Sequence, residues 1–119
     1  MSACIVHICP RSDWERAWQE GVYRPASLES EGFIHFSRPE QVAAVANRFY
    51  AGRTDLLLLW VPPQNLTAPL KWEAADGEIF PHLYGALPVE AVAAVTPFQP
   101  GARGLFRRAE RPAGSTSLC

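Results

Sequence analysis

Residues 71–85 read Lys71-Trp72-Glu73-Ala74-Ala75-Asp76-Gly77-Glu78-Ile79-Phe80-Pro81-His82-Leu83-Tyr84-Gly85. Asp76-Gly77 is a strong signal for a tight hairpin turn. Before it, Leu70 to Ala74 alternates loosely and suits a strand. After it, Ile79 to Tyr84 returns as the partner, with Pro81 arguing for an edge or a bulge. Two strands joined this tightly have no crossover helix between them, so the chain does not follow a regular βαβ pattern.

Working outward toward the N-terminus, Asp55 to Val61 is a continuous apolar run, and Pro62-Pro63 closes it. It reads as a central strand. Ser37-Arg-Pro-Glu40 fits a capping box, and Val42, Val45, Ala46 and Phe49 follow helical spacing up to Gly52. Phe33 to Phe36 suits a short strand after the turn Glu29-Ser-Glu-Gly32. Val22 to Leu28 contains Pro25 and reads as extended or irregular. A second capping box, Ser12 with Glu15, opens a short helix over 13–20, with Gly21 as its stop. Cys4 to Cys9 is a buried first strand ended by Pro10. Toward the C-terminus, Val89 to Phe98 starts as a helical turn and ends as a strand. Two main helices among five or six short strands give an α+β fold. Residues 1–100 form one domain, and 101–119 form an Arg/Gly/Pro/Ser-rich tail, partly disordered.

Composition narrows the function classes. The 119 residues suit one domain, 48% of them are hydrophobic, and the formal net charge is -1. A broad surface for nucleic acid is therefore not expected, although the tail arginines could touch phosphates. Three cysteines, Cys4, Cys9 and Cys119, make no disulfide framework and suit a reducing compartment. No apolar run nears the ~20 residues that a membrane helix needs, and the N-terminus lacks the pattern of a signal peptide. The expected location is the cytoplasm, without membrane association.

The chemistry concentrates on histidine. His7, His35 and His82 all lie in or beside expected strands, in apolar surroundings. Imidazole is donor, acceptor, metal ligand and proton carrier, and burying it requires partners. Each histidine alone could be a satisfied structural residue; three in short strands point toward a shared cleft. Strand periodicity puts Phe33, His35 and Ser37 on one face, with Glu31 just before them. A ring, an imidazole and a hydroxyl together suit a planar polar ligand such as a nucleobase or nicotinamide. If Asp76-Gly77 is the turn, Glu73 and His82 lie on paired strands and can act as an acid–base pair. His82 and Tyr84 share a face, and Gly85 permits close backbone approach. Alternatively, Trp72, Phe80 and Tyr84 are core and Glu73 is solvated.

The segments Ile5-Val-His-Ile8, Trp14 to Gly21 with Tyr23, Glu31-Gly-Phe-Ile-His-Phe-Ser37, Gln41-Val42 with Phe49-Tyr50, Trp72-Glu73 and Phe80-Pro-His-Leu-Tyr-Gly85 carry a resemblance. Over about residues 4–98 the chain resembles the bacterial proteins grouped as domain of unknown function 952. That family looks like a distant relative of the ADP-ribosyltransferases. The resemblance implies a compact split or curved mixed β-sheet that grips NAD in a cleft. By position, His7 would hold the ribose side of the cofactor, and His35 with Phe36 and Ser37 would face the nicotinamide. His82 would occupy the third position, where such enzymes often carry Glu. A histidine cannot copy a carboxylate that stabilises an oxocarbenium ion, so Glu73 or Glu78 would have to substitute.

The expected site therefore comprises Glu73 and His82 as catalytic residues. His7, Glu31, Phe33, His35, Ser37 and Tyr84 hold a nucleotide-like ligand, with NAD the candidate cofactor and no metal. The leading reading is an NAD-binding protein, with ADP-ribosyl or phosphoribosyl transfer as its possible activity. The rivals are a non-catalytic binding module, monomeric or dimeric, anchored by some of the four tryptophans, and a zinc-dependent hydrolase-like site.

Overall fold

Strand β4 (Leu56–Val61) is buried along its whole length because the protein packs both of its faces. In the computed structural model, which describes residues 3–107, 109 and 110, it is the middle strand of the sheet β1-β4-β8. Its neighbours are β1 (Ile5–Pro10) and β8 (Ala94–Phe98), both antiparallel to it. Leu56, Leu58 and Trp60 face one core, with Val6, Ile8, Val42 and Ala46. Leu59 and Val61 face the other, with Ile5, Cys9, Tyr23, Ile34 and Leu83. Helix α3 (Pro39–Phe49) covers the first face, and α1 (Arg11–Glu20) covers part of the second.

The hairpin read from the sequence is present: β5 (Leu70–Ala75) and β6 (Glu78–Leu83) pair antiparallel in the expected register. Asp76 and Gly77 both have positive φ, 51° and 82°, the combination that the tightest hairpin turns require. Gly85 also has a physical reason: a Cβ there would lie 2.6 Å from the Ala68 Cβ. β6 is not an edge strand, because β3 (Ile34–His35) pairs along its other side. Pro81 sits where that ladder runs out, and its carbonyl still accepts the Phe36 N–H at 3.0 Å.

One isolated bridge among the described residues joins the sheet β1-β4-β8 to the chain just after β3. Val6 and Ser37 exchange both backbone hydrogen bonds, each 2.8 Å. Every ladder is antiparallel, so the expected mixed sheet is corrected. The described residues hold eight strands rather than five or six. Two of those not anticipated, β2 (Val22–Tyr23) and β7 (Leu87–Pro88), are two residues long and pair with each other. A third helix, α2 (Ala26–Ser30), follows Pro25 in the segment expected to be irregular. Proline is compatible with a helix start, so Pro25 opens this turn rather than breaking it.

Neither expected capping box forms as written. Helix α1 begins at Arg11 with no side-chain cap. Ser37 spends its backbone on the Val6 bridge and remains extended, which moves the start of α3 one residue on. The Gln41 Oε1 then accepts the Arg38 N–H at 2.9 Å. The Gln41 Nε2 donates to Glu78 Oε1 and to the Ile79 carbonyl, both at 3.0 Å, tying α3 to the hairpin. The packed chain continues past residue 100: Phe106 is buried against Phe98, and its backbone bonds the Asn47 side chain twice. Arg108 and residues 111–119, the rest of the expected tail, lie outside the described residues. Cys4 and Cys9 are both buried, as read from the sequence, and Cys9 is a free thiol. No helix among the described residues is long and apolar enough to cross a membrane.

Candidate functional site

Cross-strand register builds the site. His35 lies opposite His82, and Glu73 lies opposite Phe80, so these side chains emerge on one face of the sheet β3-β6-β5. Phe33 stacks on the His82 ring with centroids 4.1 Å apart and planes 20° apart. The Phe33 ring also lies 4.7 Å from His35 and 5.3 Å from Tyr84. His35 and His82 are 5.5 Å apart, edge to face. Val45 and Phe49 of α3 close the opposite wall of a hollow of about 490 Å³.

On its wall, one carboxylate organises two further side chains. The Tyr84 hydroxyl donates to Glu73 Oε1 at 2.6 Å, and His82 Nδ1 bonds the same oxygen at 2.8 Å. Those two bonds, Tyr84 first, hold the Glu73 carboxyl below its ordinary pKa. A carboxylate only accepts, so His82 must carry its proton on Nδ1. In the neutral ring, Nε2 is then a lone pair. Among the described residues it has no protein partner, and His82, 6% exposed, lines the hollow. The Ser37 hydroxyl is in the same position: the residue is 6% exposed, lines the hollow, and its side chain has no partner among the described residues.

His7 is arranged differently. Nδ1 bonds the His35 carbonyl at 2.5 Å, and Nε2 bonds the Tyr23 hydroxyl at 2.7 Å. The carbonyl can only accept, so Nδ1 carries the proton and Nε2 accepts from tyrosine. Burial pushes the imidazole down to about 4, and it pushes the Tyr23 phenol up. His7 is thus a neutral strut behind β3 with both nitrogens engaged. It lines a second hollow of about 590 Å³ that shares Glu31, His35, Val45 and Phe49 with the first. Glu31 and His35 stand between the two hollows, joined at 3.2 Å.

The structure therefore brings Glu31, Phe33, His35, Ser37, Glu73 and His82 around one cavity. Tyr84 supports Glu73 from beside it, and His7 stands one layer back. Glu78, the alternative to Glu73, is held by Gln41 and lines neither hollow. Sequence reading missed Tyr23 as the partner of His7 and Gln41 as the clamp of α3. It also placed Phe49 in the core stripe, whereas Phe49 is 61% exposed and walls both hollows. A long apolar residue one turn past the buried Val42 and Ala46 was the available signal. Of the tryptophans, Trp60 is buried and donates to Thr96 at 2.8 Å, while Trp18 and Trp72 are exposed. Among the described residues, no group of three or more His, Cys, Asp or Glu is disposed to hold a metal ion, so the zinc reading has no ligand set.

The family model described as "Protein of unknown function (DUF952)" matches residues 8–95. The crystal structure of protein CC0527 from Caulobacter crescentus is similar, at 35% identity and a TM-score of 0.80, covering 87% of this chain and 93% of that one. The solution NMR structure of CC0527 agrees, at 36% identity and a TM-score of 0.76, covering 86% and 90%. No curated protein matches the chain.

Proposed function

The chain belongs to the DUF952 family, and from that premise and the geometry of its cleft we propose a ligand-binding protein whose Glu73–His82 pair moves or holds a proton. The observation that carries this reading is the His82 ring, which lines a hollow, is fixed through Nδ1 by Glu73, and has Nε2 without a partner among the described residues. Such a ring can take a proton at Nε2 while the carboxylate stabilises the imidazolium that forms. Phe33, stacked on that ring, fixes its plane, and Tyr84 fixes the carboxylate. His35 and Glu31 at the exposed rim, and the Ser37 hydroxyl within, supply contacts that orient a ligand.

The ligand we propose is a nucleotide of the NAD type. Two adjoining hollows of about 490 and 590 Å³ suit a two-part molecule, and aromatic walls suit a stacked base. His7 supports the reading as a positioning residue that holds β3 through the His35 carbonyl. ADP-ribosyl transfer would depend on Glu73, since both of its hydrogen bonds fall on Oε1 and Oε2 remains for a developing cation.

Calorimetric titration with NAD, ADP-ribose and nicotinamide tests this. Binding of NAD or ADP-ribose is expected, and His35→Ala should weaken it at least about tenfold, ~1.4 kcal/mol. His35 is half exposed, so its melting temperature should be unchanged. Silence of all three ligands at about millimolar levels would retire the nucleotide, and undiminished binding by His35→Ala would retire the site. The exposed Trp18, beside Trp14 and Val95, keeps a partner-binding role in view.

A further inference from the structure

The charge and hydrogen-bond polarity of the inner hollow say what kind of group it accepts. Three carboxylates line it, Glu31, Glu73 and Asp76, and no Lys or Arg among the described residues does. Arg48 pairs with Asp76 at 3.5 Å, and Lys71 lies over the Tyr84 ring, 4.8 Å from its centroid. Among the described residues the hydrogen-bond partners of Glu31 and Glu73 are imidazoles and a phenol, and Lys71 acts on Glu73 through its charge alone, without lining the space. Four phenylalanines, Phe33, Phe36, Phe49 and Phe80, form much of the remaining wall, with Val45, Ala74 and Ala75 between them. Phenyl faces carry negative quadrupole density and attract cations.

The hydrogen-bonding groups point the same way. Carboxylates accept only, and the neutral form of His82 offers a lone pair at Nε2. The Ser37 hydroxyl, nine-tenths buried and without a protein partner among the described residues, opens on the same space independently of the acidic group. The hollow is thus acceptor-rich, anionic and walled by rings. A phosphate placed there would face carboxylates with no cation lining the space to offset them.

We propose that the group seated against His82 is a flat organic cation bearing N–H donors: an amidinium, a guanidinium or a protonated amino-heterocycle. Its N–H groups reach Glu73 Oε2, Glu31 and the Ser37 hydroxyl, and its face lies against the phenylalanines. The proposal rests on the hollow being a ligand site, and not on the ligand being a nucleotide.

Benzamidine, benzamide and benzoate are nearly equal in shape and differ in charge. Calorimetry on the full chain with each, beside NAD, is the test. Benzamidine is expected to bind at least tenfold tighter than benzamide, with benzoate weakest. Glu31→Gln should weaken benzamidine three- to tenfold and leave benzamide unchanged. Because Glu31 is exposed, that variant is expected to fold, with an unchanged melting temperature as its check. Equal or tighter binding of benzamide or benzoate overturns the proposal, as does no binding of benzamidine. NAD binding with benzamidine silent would sink the cation and spare the nucleotide. Benzamidine binding with NAD silent would do the reverse.

Discussion

His7 shows how burial converts one imidazole into a structural element. In the neutral ring, the form that burial favours, Nδ1 donates to the His35 carbonyl and Nε2 accepts from the Tyr23 hydroxyl. Its folded pKa is about 4, below the ordinary 6.5, through desolvation. Between those values the unfolded chain binds a proton that the folded chain refuses. The contribution to stability is therefore complete above pH 6.5 and shrinks as pH falls toward 4. By pH 5 the loss should reach about 2 kcal/mol, at ~1.4 kcal/mol per pH unit. Urea unfolding at pH 7.5 and pH 5 measures it. His7→Gln should be less stable at pH 7.5 and should show a much smaller pH difference; an unchanged difference would mean that another group titrates. Tyr23→Phe leaves Nε2 buried with no donor and should cost about 1–3 kcal/mol at pH 7.5. Glu73, held low by Tyr84 and His82, loses its contribution only below the ordinary carboxylate range, so its effect falls at more acid pH.

Helix α3 and the β5–β6 hairpin form the two jaws of the inner hollow, and buried and exposed links join them. Gln41, 5% exposed, holds Glu78 and the Ile79 carbonyl while accepting from Arg38. Arg48–Asp76 spans the same gap in solvent. Gln41→Ala leaves several polar groups without this partner and should cost about 1–3 kcal/mol. Arg48→Ala removes an exposed ion pair worth at most ~1 kcal/mol. Thermal melts of both variants check the order, and equal losses would contradict it. The hairpin itself was legible, because Asp76-Gly77 fixes the turn and the turn fixes which residues face each other. Glu73 and His82 follow from that register, just as Phe33, His35 and Ser37 follow from strand period. The clamp was not legible: Gln41 sits in a helix whose apolar spacing says nothing of a polar residue reaching a distant hairpin. Nor were β2 and β7, which are two residues long and take their meaning only from each other. The cap of α3 moved because the Val6 bridge claims the Ser37 backbone, a tertiary demand that local sequence does not announce.

At the scale of the whole molecule, β4 belongs to both cores, and this couples them. Leu58 faces the core under α3, and its neighbour Leu59 faces the core that backs the site. Both are at most 1% exposed. Neither core can come apart alone without stripping one face of the strand that anchors the other. The Val6–Ser37 bridge adds a backbone link from this sheet to the sheet that carries His35 and His82. Unfolding should therefore be one cooperative step. Leu58→Ala and Leu59→Ala should each lower its free energy by about 2–5 kcal/mol, through lost burial and the cavity left behind. Urea denaturation followed by far-ultraviolet circular dichroism and by tryptophan fluorescence checks this. With Trp14, Trp18 and Trp72 replaced by Phe, the fluorescence of Trp60, buried in the first core, reports on that side, and the dichroism reports on all the strands and helices. For each variant the two signals should move together, at a lower urea concentration. If Leu59→Ala instead split the dichroism into two steps while the fluorescence of Trp60 held its midpoint, the cores would be independent. The site would then rest on the second core alone.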